Sequence, residues 1–278
     1  MKISLKKKAD FWKKTAVSSL IFTMFFTLMM SGTVFAAGLN KDQKRRAEQL
    51  TSIFENGKTE IQYGYVEALD DGRGYTCGRA GFTTATGDAL EVVEVYTKAV
   101  PNNKLKKYLP ELRRLAKDES DDISNLKGFD SAWRSLGNDK AFRAAQDKVN
   151  DNLYYQPAMK RSENAGLKTA LAKAVMYDTV IQHGDGDDPD SFYALIKRTN
   201  KKMGGSPKDG TDEKKWLNKF LDVRYDDLMN PSDEDTQDEW RESVARVDVF
   251  RDIVKEKNYN LNGPIHVRSS EYGNFTIQ

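Results

Sequence analysis

Residues 65–82, YVEALDDGRGYTCGRAGF, bring three carboxylates, two arginines, two tyrosines and four glycines into one short stretch of the chain. Asp71 stands there in an aspartate–glycine turn, two positions before Arg73. The backbone amides of a glycine turn and a nearby guanidinium both favour a charged carboxylate, which is the form that accepts a proton. Asp71 is therefore a candidate general base.

A second carboxylate, Glu55, follows Ile53 and Phe54 at the end of an amphipathic segment. A carboxyl group set against apolar side chains is disfavoured as an anion, which suits it to donate a proton. Two carboxylates in unlike settings can therefore act as an acid and a base. The simpler alternative is that Glu55 is an exposed helix-end residue and that Asp71 only forms the turn. Spacing alone does not decide between the two interpretations.

The element that must position Glu55 is predicted to be a helix over residues 40–55. Leu50 and Ile53 fall on one face of it at helical spacing. An Asn-Gly pair follows at residues 56–57, which is typical of a helix C-terminus. The predicted helix places Glu55 in its last turn.

The element that must position Asp71 is predicted to be a small sheet. Ile61, Tyr63 and Tyr65 alternate with other residues, as in a half-buried strand, and a second strand is predicted at residues 75–77 after the turn. We expect strands in this region of the chain only.

The rest of the chain is predicted to be helical. Asp88 and Glu91 have the spacing of a capping box that opens a helix. Helical periodicity of apolar residues continues in residues 109–115, 131–136, 140–154, 165–183, 190–199, 211–229 and 237–257. The sequence therefore predicts a mainly α fold with one small sheet.

Several other polar residues have ordinary structural interpretations. Cys77 is the chain's one cysteine, so no intramolecular disulfide is possible, and we expect it to be a small buried residue in a strand. His183 is predicted to end a helix and to favour its dipole. Asp190, in an acidic loop, is predicted to cap the next helix. No metal or cofactor site is expected.

Residues 1–36 have the pattern of a secretory signal peptide, with six lysines before an apolar run and a small-residue end at Ala36. The run is interrupted by serines and threonines and is shorter than a membrane span of ~20 residues requires. The remaining residues 37–278 carry 38 basic and 41 acidic side chains, a net charge of −3. We expect one secreted, extracellular catalytic domain, without the basic excess of nucleic-acid-binding proteins and without membrane contact after cleavage.

Residues 65–76, with DGRGYT at their end, resemble the signature of the glycoside hydrolase family 46 chitosanases, which are secreted, endo-acting bacterial enzymes. The similarity extends over residues 37–278 and includes residues 176–178, 222–224 and 246–248. The resemblance implies a lysozyme-like architecture: two predominantly helical lobes, a small β-sheet and a substrate cleft between the lobes.

The resemblance also implies roles for individual residues. Glu55 would be the general acid and Asp71 the general base of an inverting hydrolysis of β-1,4 bonds between D-glucosamine units of chitosan. The implied water-holding residue is Thr76, the substrate-binding residues are Tyr65, Arg73 and Asp88, and the salt-bridge network behind the base is Asp178, Arg224 and Arg246. The enzyme would act as a monomer without a cofactor.

Two of these residues have independent interpretations. Asp88 as a helix cap is an equally good account of its position. Asp178 falls midway along a predicted helix with an apolar face, where a charged group requires a partner, and arginine suits that pairing.

Two other functions stay open. A lysozyme-like peptidoglycan hydrolase would use the same acid and a similar fold. A secreted polysaccharide-binding protein without turnover would need neither proton transfer.

Overall fold

A computed structural model of the chain describes residues 38–69, 72–232 and 237–278. The predicted signal peptide, residues 1–36, and the predicted base, Asp71, lie outside the described residues. The described chain divides into two compact units. Unit 1 is Ile61–Leu153, and unit 2 combines residues 38–60 with Tyr154–Gln278.

The described elements are mostly helices. In chain order they are α1 (Lys41–Asn56), β1 (Val66–Ala68), β2 (Tyr75–Cys77), β3 (Phe82–Thr83), α2 (Asp88–Ala99), a 3-10 turn (Lys106–Tyr108), α3 (Leu109–Asp118), α4 (Phe129–Ser135), α5 (Lys140–Asn150), a π-helical turn (Asp151–Tyr155), α6 (Gln156–Asn164), α7 (Ala170–His183), α8 (Phe192–Met203), a 3-10 turn (Pro207–Asp209), α9 (Glu213–Met229), α10 (Gln237–Glu242), α11 (Ala245–Lys255), β4 (Ile265–Ser269) and β5 (Gly273–Ile277).

Helix α1 has the C-terminus that its sequence predicts, and it begins one residue after the predicted start. Asn40 is the N-cap: its side chain accepts a hydrogen bond from the Gln43 amide, and the Gln43 side chain accepts one from the Asn40 amide. Gly57 ends the helix in the left-handed conformation at φ 64°, which glycine adopts without strain. Leu50 and Ile53 are buried, as predicted. The last turn of α1 is therefore stabilised by its C-terminal glycine and by the burial of its apolar face.

In unit 1, the strand predicted at residues 61–65 is wrong, because that segment is irregular and β1 begins at Val66. The carbonyl of Tyr63 accepts hydrogen bonds from Trp133 Nε1 at 3.2 Å and from Gln146 Nε2 at 2.9 Å. A carbonyl that is bonded to side chains of α4 and α5 is not available to pair with a neighbouring strand.

The second predicted strand is confirmed as β2. It is the central strand of a three-stranded antiparallel sheet, with Glu67 of β1 opposite Thr76 and Thr76 opposite Thr83 of β3. Cys77 is buried in the same hydrophobic core as Phe82. The interpretation of Cys77 as a small buried strand residue is confirmed.

Both predicted helix caps are wrong by one residue. The N-cap of α2 is Gly87, so Asp88 is the first helical residue. The N-cap of α8 is Ser191, and the side chain of Asp190 instead accepts hydrogen bonds from the amide and hydroxyl of Ser232. Aspartate next to serine or glycine leaves two candidate caps, and tertiary hydrogen bonds select between them.

The C-terminal region of unit 2 departs most from the prediction. The helix predicted over residues 237–257 is two helices, α10 and α11, and the helix predicted over residues 165–183 begins only at Ala170. Helix α6 was not predicted. Strands β4 and β5 form a two-stranded antiparallel hairpin, so the expectation of strands in one region only is wrong. The alternation of buried and exposed residues in β4, with Ile265 and Val267 buried, is the signal that marks it.

Helix α7 is the centre of unit 2. Most of its residues are buried, because α1, α6 and α8 all pack against it. Even so, no helix within the described ranges is both long and apolar enough to cross a membrane. A polar residue in the middle of α7, such as Asp178, must therefore find its partners within the protein.

Candidate active site

Glu55 lies in the last turn of α1, with its side chain 29% exposed. Its Oε1 accepts a hydrogen bond of 2.9 Å from Nη2 of Arg246 on α11. The guanidinium of Arg246 also lies 5.2 Å from the centre of the Phe54 ring. The described contact of this carboxyl group is thus with a cation, and the apolar setting expected for it stays a prediction.

Asp178 on α7 binds both arginines of the predicted network and is buried. Its Oδ1 accepts from Arg246 Nη2 at 2.8 Å and from Thr51 Oγ1 at 3.2 Å. Its Oδ2 accepts from Arg224 Nη2 at 2.7 Å and from Arg246 Nε at 3.2 Å. Glu55, Asp178, Arg224 and Arg246 therefore form one connected group, called here the charge cluster.

Burial and ion pairing oppose each other within the charge cluster. Burial alone would raise the pKa of Asp178, but the attraction of Arg246 and Arg224 holds it below its usual value of 3.8. Burial lowers the pKa of Arg224 to about 10. Burial also acts against Arg246, yet the carboxylates of Asp178 and Glu55 raise its pKa above its usual value. Asp178 and both arginines are therefore charged at neutral pH.

The predicted network was placed behind the base, Asp71. Within the described residues its contacts reach Glu55, through Arg246. Asp71 lies outside the described residues, so its part in the network stays a prediction.

Three residues that sequence reasoning missed support the charge cluster. Gln182 accepts a hydrogen bond from Arg224, and Thr51 donates one to Asp178. Tyr272 packs its ring 5.2 Å from that of Phe54 and donates from its hydroxyl to the Ser243 carbonyl. Burial raises the pKa of Tyr272 to about 12, so its hydroxyl stays protonated. The four-residue spacing from Asp178 to Gln182 was visible in the sequence, whereas Tyr272 belongs to the unpredicted hairpin.

In unit 1, Thr76 is a buried residue of β2 with 7% of its surface exposed. Its hydroxyl oxygen has no hydrogen-bond partner among the described residues. Thr83 and Thr84, its neighbours in the sheet region, both use their hydroxyls: Thr84 accepts from the Tyr75 amide at 3.1 Å, and Thr83 contacts Thr86 at 2.6 Å. The Thr76 hydroxyl thus differs from those of Thr83 and Thr84, whose partners lie within the described residues.

The backbone next to Thr76 requires a glycine. Gly74 has a φ of 73°, and a Cβ there would collide with the hydroxyl of Thr84 and come within 3.2 Å of the Ile123 side chain. The carbonyl of Arg73 accepts a hydrogen bond from the Ala85 amide at 3.2 Å. Tyr65 is half-buried and donates from its hydroxyl to Glu67 at 2.9 Å. The contacts at Arg73 and Gly74 fix the backbone that follows the predicted base.

Asp88 uses only one of its two carboxylate oxygens within the described residues. Oδ1 accepts from the Thr83 amide at 2.6 Å, the Thr86 hydroxyl at 2.8 Å and the Ala89 amide at 2.9 Å. Oδ2 makes none of these bonds. Burial raises the pKa of Asp88 from 3.8 to about 6, although the three hydrogen bonds act in the opposite direction. Asp88 can therefore present Oδ2 to a ligand while Oδ1 holds the start of α2.

His183 ends α7, as predicted, but its expected role is wrong. Its ring is buried, and Nδ1 lies 2.8 Å from the Asp190 carbonyl and 3.5 Å from Asp227 Oδ2. Burial, with repulsion from Arg224, lowers the pKa of His183 well below 6.5. The ring is neutral at physiological pH, so it does not bring a charge to the helix dipole.

The acidic loop that follows α7 is stabilised by an ordinary ion pair, in which Arg161 and Asp185 approach to 2.8 Å. Across the ranges that the structure covers, no group of three or more His, Cys, Asp or Glu side chains could hold a metal ion.

The chain is similar in sequence to bacterial chitosanases. It is 88% identical over 278 residues to the chitosanase of Bacillus subtilis (strain 168), with all of both chains covered. It is 37% identical over 234 residues to the chitosanase of Streptomyces sp. (strain N174), which covers 82% of this chain and 80% of that protein.

Solved structures show the same similarity. Native chitosanase from Bacillus subtilis MY002 matches with 90% identity and a TM-score of 0.78, over 87% of this chain and 100% of that one. A mutant of that enzyme complexed with 6 GlcN matches equally well. A chitosanase from Gynuella sunshinyii, in complex with chitotetraose, matches with 44% identity and a TM-score of 0.75, over 86% of this chain and 99% of that one.

The class of protein that these similarities define is the glycoside hydrolases. The family described as Glycosyl hydrolase family 46 matches residues 49–265, and the chain belongs to this family. The resemblance drawn from residues 65–76 is confirmed, as is the predicted mainly helical fold with a small sheet.

Proposed function

We propose that this protein hydrolyses β-1,4 linkages between D-glucosamine units inside chitosan chains, with inversion at the anomeric carbon. The observation that carries the proposal is the 88% identity, over the full length of both chains, to a chitosanase. A 90% identical chitosanase that was solved with 6 GlcN supports the same substrate class.

Glu55 is the proposed general acid, which protonates the glycosidic oxygen of the leaving sugar. Its Oε1 is bonded to Arg246, and no other hydrogen bond or ion pair of this carboxyl group occurs among the described residues. The contact supports the role because one oxygen is fixed in orientation while the other is left to carry the proton. A positioned proton donor contributes ~10²–10⁴-fold to a rate.

Asp71 is the proposed general base, which removes a proton from the attacking water. Its support is the aspartate–glycine turn and the family membership, together with the fixed backbone at Gly74. The unpartnered hydroxyl of Thr76 supports a role in holding that water. An inverting reaction requires the two carboxyl groups to be ~6.5–9.5 Å apart, so that water fits between base and sugar.

The proposed substrate-binding residues are Tyr65, Arg73 and Asp88. Deacetylated sugars of chitosan carry ammonium groups at mildly acidic pH, and a carboxylate binds such a group by a charge-assisted hydrogen bond. In Asp88, Oδ1 accepts the three hydrogen bonds described above and Oδ2 accepts none of them, which supports this role.

We further propose that the protein is secreted after removal of residues 1–36 and acts as a monomeric single catalytic domain. The share of the chain that remains without those residues, 242 of 278, equals the 87% over which the Bacillus subtilis MY002 enzyme matches. The pattern of lysines, apolar residues and Ala36 supports export.

The test is the loss of viscosity of a chitosan solution for wild type, Glu55→Gln and Asp71→Asn, with proton NMR of the first anomer released. We expect fast viscosity loss and the α-anomer for wild type, and at least ~10²-fold slower cleavage for each variant. Full activity of both variants would contradict the assigned roles. Release of reducing ends from peptidoglycan instead of chitosan would favour the lysozyme-like alternative, and binding without cleavage would favour the non-catalytic one.

A further inference from the structure

Gln182 extends the charge cluster on the side away from Glu55. It lies on α7, one helical turn after Asp178, and its side chain is buried. Its Oε1 accepts a hydrogen bond from Nη2 of Arg224, the same nitrogen that donates to Asp178 Oδ2. The chain of contacts therefore runs from Glu55 through Arg246, Asp178 and Arg224 to Gln182.

The guanidinium of Arg224 depends on these two acceptors for its orientation. The residue is fully buried, and its Nε and Nη1 have no hydrogen-bond partner within the described ranges. With Asp178 as its one acceptor, the planar group could pivot about a single contact. Gln182 supplies a second acceptor on the same nitrogen, which fixes the plane.

The amide of Gln182 is itself held in one orientation. Its Nε2 donates to Ser243 Oγ at 2.7 Å, and Ser243 Oγ donates onward to the Trp240 carbonyl at 2.6 Å. The Ser243 carbonyl accepts from the hydroxyl of Tyr272 at 3.3 Å. Because one end of the amide faces a cation and the other faces a hydroxyl oxygen, the site suits an oxygen on one side and an NH₂ on the other.

We propose that Gln182 is a positioning residue for the hydrolysis: it fixes the guanidinium of Arg224 and, through Asp178 and Arg246, the orientation of the Glu55 carboxyl group. This inference rests on the proposed function, in which Glu55 donates the proton. Gln182 is buried and acts through the charge cluster, so its effect belongs to the chemical step rather than to substrate binding.

The test compares Gln182→Met and Gln182→Glu by kcat, KM and the pH profile of kcat on chitosan. For Gln182→Met we expect kcat to fall about tenfold, with KM within about twofold of wild type. Gln182→Glu keeps an acceptor for Arg224 and adds a negative charge to the charge cluster. The carboxyl group of Glu55 should therefore hold its proton to higher pH than in wild type. We expect the basic limb of its pH profile to move to higher pH, with a kcat above that of Gln182→Met.

The matched control is Gln146, a second buried glutamine, whose Oε1 accepts from the Arg79 amide at 3.0 Å and whose Nε2 donates to the Tyr63 carbonyl at 2.9 Å. It bridges polar groups in unit 1 without belonging to the charge cluster. Gln146→Met and Gln146→Glu should lower the free energy of unfolding without moving the basic limb. If the Gln146→Glu limb moved as far as the Gln182→Glu limb, the positioning role would be wrong.

A Glu55→Gln variant, measured alongside, distinguishes failure of the proposed function from failure of the positioning role of Gln182. Normal cleavage by Glu55→Gln would overturn the proposed function and, with it, the positioning role. Loss of cleavage by Glu55→Gln, combined with wild-type kcat and pH profile for both Gln182 variants, would overturn the positioning role alone. If Gln182→Met does not fold, the near-isosteric Gln182→Glu decides the question through its pH profile.

Discussion

Glu55 and Asp178 accept hydrogen bonds from the same nitrogen, Nη2 of Arg246, at 2.9 and 2.8 Å. One of these carboxylates is partly exposed and the other is buried, so a single guanidinium joins the surface of unit 2 to its interior. The proposed proton donor is thereby held by a group that cannot move without disturbing a buried ion pair.

The first prediction concerns Arg246. Arg246→Met leaves Asp178 paired with Arg224 alone and removes the partner of Glu55. The free energy of unfolding should therefore fall by ~3–5 kcal/mol. Chitosan cleavage should also fall at temperatures where the variant is still folded. Urea unfolding and viscosity assays measure the two effects.

The control for Arg246 lies on the same helix. Arg251 pairs at 3.0 Å with Asp222 and with Asp248 at the surface. Because exposed ion pairs contribute little, Arg251→Met should cost less than ~1 kcal/mol. Equal losses for the two variants would mean that the charge cluster has no special weight in stability.

The second prediction concerns the acid side of the stability curve. The pKa of Asp178 lies below 3.8 in the folded state, so its stabilisation is complete above the unfolded value and is lost as pH falls through the lower, folded value. Asp178→Asn should therefore be less stable at neutral pH and should lose less further stability on acidification below about pH 4. Urea unfolding as a function of pH measures this, and parallel curves for wild type and variant would contradict it.

The third prediction concerns Asp88. Asp88→Asn keeps an Oδ1 acceptor for the Thr83, Thr86 and Ala89 donors but removes the charge. Because a charged hydrogen bond contributes ~1.5–3 kcal/mol, KM for chitosan should rise about tenfold or more. An unchanged KM would show that Asp88 serves only α2.

Asp88 should affect the pH dependence of the free energy of unfolding in the opposite direction to Asp178. The folded-state pKa of about 6 exceeds the usual 3.8, so wild type loses stability as pH rises between these values. Asp88→Asn lacks that loss and should gain on the order of 1–2 kcal/mol relative to wild type across this window, a figure reduced for its partial exposure. Thermal unfolding at a series of pH values measures the difference.

The fourth prediction separates function from folding at Thr76. Its hydroxyl has no partner among the described residues, so Thr76→Val should leave the free energy of unfolding within ~0.5 kcal/mol of wild type. The rate of cleavage should nevertheless fall about tenfold or more, because the attacking water loses a hydrogen bond. Thr84→Val is the matched control: it removes the acceptor of the Tyr75 amide and should destabilise by ~1–3 kcal/mol.

The sequence predicted the local features of this protein better than its tertiary ones. Helix α1 ends at the Asn-Gly pair that predicts its C-terminus, since a left-handed glycine is a property of a few adjacent residues. The strand predicted at residues 61–65 failed, because side chains from α4 and α5 bind the Tyr63 carbonyl. No local pattern contains that information.

In the candidate site, too, some features could be predicted from local sequence and others could not. A buried carboxylate at Asp178 demands a cationic partner, so the need for the arginines could be argued from one helix. That Arg246 would contact Glu55, and that Tyr272 would pack beside Phe54, depends on how α11 and the β4–β5 hairpin return to α1. Such contacts join residues far apart in the chain and leave no periodic signal.

The burial of Cys77 gives this enzyme an internal reporter. It is the chain's one sulfhydryl, it has no exposed surface, and burial raises its pKa well above 9.0. Because the thiolate is the reactive form, alkylating reagents should leave the native protein unmodified. Their reaction rate under native conditions would then measure how often the structure around Cys77 opens, whether locally or by unfolding of the whole protein, without any engineered label.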